Sequence, residues 1–132
     1  MRLAIYLILG VLLFSSILFI NGCTQQTGPK LEFSSSPCND SINGYNQSEL
    51  GIKDSIWLDN NTLLVKAYIL ATCACQNITK GDYEANGEKI LLKYKLELIS
   101  NVCATCMCAH ELNYKFINIE KKDYQFKLEQ TN

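Results

Sequence analysis

The chain has 132 residues, room for one domain rather than two, with 12 basic against 13 acidic side chains and a formal net charge of -1. Arg2 is the only arginine, and every other basic residue is a lysine. A nearly balanced charge without an arginine cluster excludes the basic patch that nucleic-acid binding requires and any strong steering of a charged ligand.

The N-terminus reads MRLAIYLILGVLLFSSILFINGC. One basic residue, an uncharged apolar run from Leu3 to Ile20 and a short break at Asn21-Gly22 form the layout of a secretory signal. The run also reaches the lower length limit for a membrane-spanning helix. Residues 1–22 are therefore expected to be a signal peptide or an N-terminal anchor helix. Ile20-Asn21-Gly22-Cys23 resembles the lipobox of prokaryotic lipoproteins, departing from the commonest pattern at Ile20 and Asn21. The resemblance implies that Cys23 is lipidated and becomes the mature N-terminus. The alternative is an uncleaved helix. Both place the following residues outside the cytoplasm, anchored to the cell membrane, because Arg2 stays inside.

Residues 23–37 include TQQTGPKLEFSSS, whose Gln, Thr, Ser, Gly and Pro predict a flexible tether. Residues 38–132 then form the expected β domain. Ser55-Ile56-Trp57-Leu58 is a short strand candidate closed by Asp59-Asn60-Asn61. Over 63–75 the chain alternates, with Leu63, Val65, Ala67, Ile69, Ala71, Cys73 and Cys75 on one face. Over 90–99, Ile90, Leu92, Tyr94, Leu96 and Leu98 oppose Lys93, Lys95 and Glu97. A strand beginning near Glu111 sets Leu112, Tyr114 and Phe116 in phase, and 124–128 alternates again after a polar turn. Period-two patterning with short turns predicts an all-β fold, a small antiparallel β-sandwich, either Ig-like or a half-open barrel.

Six cysteines follow Cys23: Cys38, Cys73, Cys75, Cys103, Cys106 and Cys108. An even count in a small exported domain points to structural disulfides, and a modest core gains from such staples. Cys106 and Cys108 share the phase of Leu112, so two CxC units on neighbouring strands are expected to meet at one end. Cys73 and Cys75 are expected to bond into the 103–108 cluster, with Cys38 taking the remaining cysteine. Six cysteines allow fifteen pairings, and the sequence does not choose among them. The alternative is a metal site: Cys73, Cys75, Cys103, Cys106, Cys108 and His110 offer thiolates and an imidazole for zinc, copper or an iron–sulfur cluster. A weaker alternative is a thiol–disulfide oxidoreductase using Cys103 and Cys106 as a CxxC pair, although no helix follows to stabilise a thiolate.

The segment from Cys106 to Tyr114, CMCAHELNY, resembles a CxCxxxLxY pattern of small exported prokaryotic β-sandwich proteins of unknown function. The resemblance implies a fold and a location, and no activity.

His110 is the only histidine, and no GxSxG or comparable nucleophile motif accompanies it. Asp82, Glu84, Asn86 and Gly87 superficially suggest a calcium loop, but Lys93 stands where the bidentate acid belongs. Asn86-Gly87 reads more simply as a tight turn. Asn39, Asn46, Asn60 and Asn77 begin N-x-[ST] sequons and are low-ranked glycan acceptors beside a reading as polar turn residues. The expected role is a membrane-anchored, non-enzymatic binding or envelope-structural module without a cofactor.

Overall fold

The computed structural model describes residues 28–39, 47–73, 75–102 and 106–132. The expected signal or anchor helix, Cys23, Asn46 and Cys103 lie outside them. The elements in chain order are β1 (Lys30–Ser35), a 3-10 turn (Gln47–Glu49), β2 (Gly51–Trp57), β3 (Thr62–Thr72), β4 (Gln76–Asn86), β5 (Lys89–Leu98), β6 (Met107–Ile117) and β7 (Gln125–Thr131). They form a four-stranded sheet ordered β1-β6-β3-β2 and a three-stranded sheet ordered β4-β5-β7.

The inward faces follow the alternation over most of their length, whereas Leu98 at the end of β5 and Cys73 beyond β3, both placed inward by it, are exposed. Leu63, Val65, Ala67, Ile69 and Ala71 of β3 are buried, as are Leu112, Tyr114 and Phe116 of β6 and Ile90 and Leu92 of β5. These residues, Ala71 excepted, join into one cluster spanning both sheets, an arrangement consistent with a β-sandwich. Each large apolar side chain so buried stabilises the fold by about 1.5–3 kcal/mol relative to exposure, before the opposing chain entropy. Tyr83 of β4 meets Phe116 of β6 edge-on with ring centroids 5.0 Å apart. That contact crosses between the sheets.

Four features differ from the sequence reading. The segment read as tether contains β1, because Leu31 and Phe33 pack on the core while the strand pairs antiparallel with β6 from Lys30↔Ile117 to Ser35↔Leu112. The strand β4 is additional. A register shift between Ile78 and Lys80 moves its inward phase from Ile78 to Gly81 and Tyr83, which breaks period-two alternation in the sequence. The sheets are not wholly antiparallel, since β7 runs parallel to β5. After β6 the chain crosses to the other sheet and starts β7 beside the start of β5, where the Gln125 amide donates to the Glu88 carbonyl at 2.8 Å. The strand expected to reach Cys75 ends at Thr72. There the Gln76 side chain accepts from the Thr72 amide at 2.9 Å and its hydroxyl at 2.7 Å, closing a turn. The predicted turn at Asn86-Gly87 is present, with Gly87 at a φ of 62° that a glycine adopts without Cβ strain.

Candidate functional site

The chemistry-bearing residues gather at one end of the molecule, where β3 finishes, β4 begins, β5 finishes and β6 begins. Pairing of β3 with β6 sets Ala71 opposite Cys108 and Thr72 opposite Met107. One residue further out, the Cys73 amide donates to the Cys106 carbonyl at 3.2 Å, so the ladder continues and Cys73 stands opposite Cys106.

Cys108 continues the inward face of β6 and is buried. It is bonded to Cys38, with Cα atoms 5.5 Å apart and a sequence separation of 70. The exit of β1 delivers Cys38 to this place. The Ser36 amide donates to the Glu111 carbonyl at 2.8 Å, the Glu111 amide donates to the Ser36 hydroxyl at 2.9 Å, and the Asn39 amide donates to the Ala109 carbonyl at 2.9 Å. Cys75 is fully buried and also disulfide-bonded. The side chains of Cys73 and Cys106 are exposed. Each CxC unit thus has one buried, bridged cysteine and one exposed cysteine.

Of the six-donor metal set, Cys75 and Cys108 are therefore engaged in disulfides, which removes their thiolate character. His110 lies four residues beyond Cys106 on an extended chain, roughly 13 Å away at about 3.3 Å per residue, too far to share an ion whose bonds are about 2 Å. Among the described residues no group of three or more His, Cys, Asp and Glu side chains is arranged to hold a metal ion. The His110 Nδ1 lies 2.9 Å from the Ser36 carbonyl, which can only accept, so Nδ1 carries the proton and the ring is tied to the β1 exit.

Of the sequons, Asn39 takes part in this β1–β6 junction. Asn60 is exposed in the turn before β3, and Asn77 is exposed on β4.

The sequence reading did not single out a polar cluster on the outer face of the four-stranded sheet. Glu111 accepts from the Asn113 amide group at 3.0 Å and the Tyr68 hydroxyl at 3.0 Å, with the Lys66 ammonium 3.7 Å away. The hydrogen bond from Asn113, with lesser help from Tyr68 and Lys66, holds the Glu111 carboxyl below its ordinary range against the opposing effect of burial. The same contact with Glu111 raises the Tyr68 phenol. The signal for this cluster was the outward phase shared by Lys66 and Tyr68 on β3 and by Glu111 and Asn113 on β6. Its reading required the register Tyr68↔Glu111 and Lys66↔Asn113.

Comparison with protein-family profiles, with curated proteins and with solved structures finds no match to this chain.

Proposed function

We propose that this chain is a prokaryotic envelope lipoprotein, anchored through Cys23, whose β-sandwich domain acts outside the cytoplasm as a non-enzymatic binding or structural module. The observation that carries this reading is the oxidised pair Cys38–Cys108 in a small domain that follows an apolar leader. Disulfides persist in exported proteins and are rare where cytoplasmic reductants act. The bridge fastens the exit of β1 to β6, so it reinforces the first strand after the tether, where a pull from an anchor would be felt.

The fold also gives an anchored domain a direction. Lys30 begins β1 opposite Ile117, at the end of the molecule away from the cysteines. The 11 residues of β3 run between the two ends, a span of roughly 35 Å at about 3.3 Å per residue. A domain tethered through Cys23 therefore presents its cysteine end away from the membrane.

Metabolic labelling with a fatty acid tests the anchor. Wild-type protein is expected to take up lipid and to accumulate as an unprocessed precursor under a lipoprotein signal-peptidase inhibitor. Cys23→Ala protein is expected to take up none. Lipid on the Cys23→Ala protein would refute the assignment.

A further inference from the structure

We infer that β7 is a self-pairing edge: two copies of this chain join antiparallel through β7 about Leu128, and their three-stranded sheets become one continuous sheet. The strand closes the order β4-β5-β7, so one of its edges has no strand partner among the described residues. The other sheet edges are guarded. Both β2 and β4 carry a register shift, between Ile52 and Asp54 and between Ile78 and Lys80, which interrupts the ladder a new strand would need. The edge of β1 lies against β4, where the Tyr83 hydroxyl donates to the Pro29 carbonyl at 2.7 Å and Phe33 covers Gly81. By contrast β7 has no shift in its register with β5 and contains no proline.

Backbone direction fixes what that edge offers. The Gln125 amide donates to the Glu88 carbonyl at 2.8 Å, and the register from Lys89↔Gln125 to Lys95↔Thr131 is unbroken. Backbone groups alternate sides along a strand, so those of Gln125, Lys127, Glu129 and Thr131 turn to β5. Those of Phe126, Leu128 and Gln130 turn to the open edge. A two-fold axis beside Leu128 pairs Leu128 with its own copy and Phe126 with Gln130 of the second copy. Phe126, Leu128 and Gln130 then all sit at hydrogen-bonded positions of the new ladder, which holds about six backbone hydrogen bonds.

The side chains select this register. Lys127 comes opposite Glu129 of the second copy, and Glu129 opposite its Lys127, at the non-hydrogen-bonded positions where side chains stand closest. Both residues are exposed, and among the described residues neither is in an ion pair. Lys93, the neighbour of Glu129 on β5, is bonded to Glu84 instead. Pairing about Phe126 would set Glu129 against Asp123 of the second copy, and parallel pairing in register would set Lys127 against Lys127. Like charges directly opposite each other destabilise a ladder. Phe126 and Leu128 are half-buried against the core and gain cover from the added strand.

The two-fold reverses one copy relative to the other, so the tether end of each lies beside the cysteine end of its partner. Domains standing on one membrane all run the same way, so with the anchor in place the pair joins copies held on facing surfaces. Register and charge carry the pairing without lipidation of Cys23, so failure of the anchor reading leaves it standing.

The test uses the full chain in detergent, with sedimentation equilibrium over a range of concentrations and amide hydrogen exchange. The parent is expected to sediment as a reversible dimer. Lys127→Glu sets only acids across the edge and Glu129→Lys sets only lysines there, and each should weaken the dimer about tenfold or more. Mixing the two variants should restore a one-to-one dimer. The double variant Lys127→Glu/Glu129→Lys should dimerise like the parent. Denaturation midpoints close to that of the parent show that each variant is folded. The amides of Phe126, Leu128 and Gln130 should exchange more slowly in the parent than in either single variant. The inference is overturned by a parent that stays monomeric or by a swap that does not restore pairing. It is overturned equally by single variants that dimerise as tightly as the parent, the result that association through the apolar leader would give.

Discussion

The Phe33 ring of β1 lies so close over Gly81 of β4 that a Cβ at position 81 would stand 2.0 Å from the ring Cδ2. Phe33 is also held from the side by Tyr114, with ring centroids 5.0 Å apart. Glycine is thus required at 81 by close approach rather than by backbone conformation. Gly81→Ala would gain about 0.4–1 kcal/mol by restricting the unfolded chain, but forcing the trapped ring aside costs about 1–3 kcal/mol, so the clash wins. The variant is expected to have a lower denaturant midpoint. In a Phe33→Ala background the ring is gone, and the same Gly81→Ala change should become neutral or stabilising. An undiminished cost in that background would show that the ring is not the obstacle.

Loss of the Cys38–Cys108 bridge should be felt mainly through the unfolded state. With a sequence separation of 70 between the two cysteines, the chain-entropy argument assigns the bridge about 4 kcal/mol. Cys38→Ser leaves Cys108 as a small buried thiol, which packs tolerably. Its denaturation midpoint should fall well below that of the parent under oxidising conditions. The two proteins should converge when both are fully reduced, and equal midpoints without reductant would contradict the role given to the bridge.

Glu111 makes stability sensitive to acid. Its folded-state pKa is depressed, chiefly by the Asn113 hydrogen bond. Its contribution is therefore complete above the ordinary glutamate range near about 4.3 and is lost as pH falls through the depressed value. Glu111→Gln should cost about 1 kcal/mol near neutrality, at the low end for a charged hydrogen bond because the side chain is partly exposed. The variant should also show a shallower loss of stability on acidification. Parallel slopes for the two proteins below pH about 4 would remove Glu111 from the account.

Tyr114 works at the other end of the scale. Its hydroxyl donates to the Lys93 carbonyl at 2.8 Å across the core, and burial pushes its phenol well above the ordinary tyrosine range. A raised pKa on an acid means that the folded state holds its proton longer than the unfolded chain. Its contribution is full below about pH 10 and is lost as pH rises above that value. Tyr114→Phe is expected to cost about 1 kcal/mol at neutral pH, from one lost hydrogen bond, and to flatten the alkaline loss of stability. Tyr94, raised by burial as well, and Tyr68, raised chiefly by its hydrogen bond to Glu111, should retain part of the alkaline dependence. Unfolding curves at neutral and alkaline pH measure both effects.

How far the fold was legible depended on how cleanly each strand kept its phase. The strands β3, β5 and β6 keep their alternation through their central residues because one face meets the core and the other meets water, so Val65, Leu92 and Leu112 could be assigned inward from sequence, and the phase lapses only near strand ends, where Leu98 is exposed and Ala109 buried. In β4 the shift between Ile78 and Lys80 resets the phase, and Gly81 contributes a backbone surface where alternation predicts a side chain. The strand β1 has only Leu31 and Phe33 to announce it among serines, glycine and proline. The polar cluster around Glu111 was equally hidden, since it exists only when Tyr68 and Glu111 are opposite each other.

The cysteines draw the same boundary. The sequence by itself determined the inward phase of Cys108 on β6, because alternation is a local property of an extended backbone, whereas Cys106, given the same phase, precedes the strand and is exposed. Only the tertiary structure decided that Cys38 meets Cys108 and that Cys73 stands opposite Cys106. Those pairings follow from strand order and register, with β6 between β1 and β3. Order and register are set by contacts between residues far apart in the chain, among them Phe33 on Gly81 and Tyr83 against Phe116, which no local pattern records.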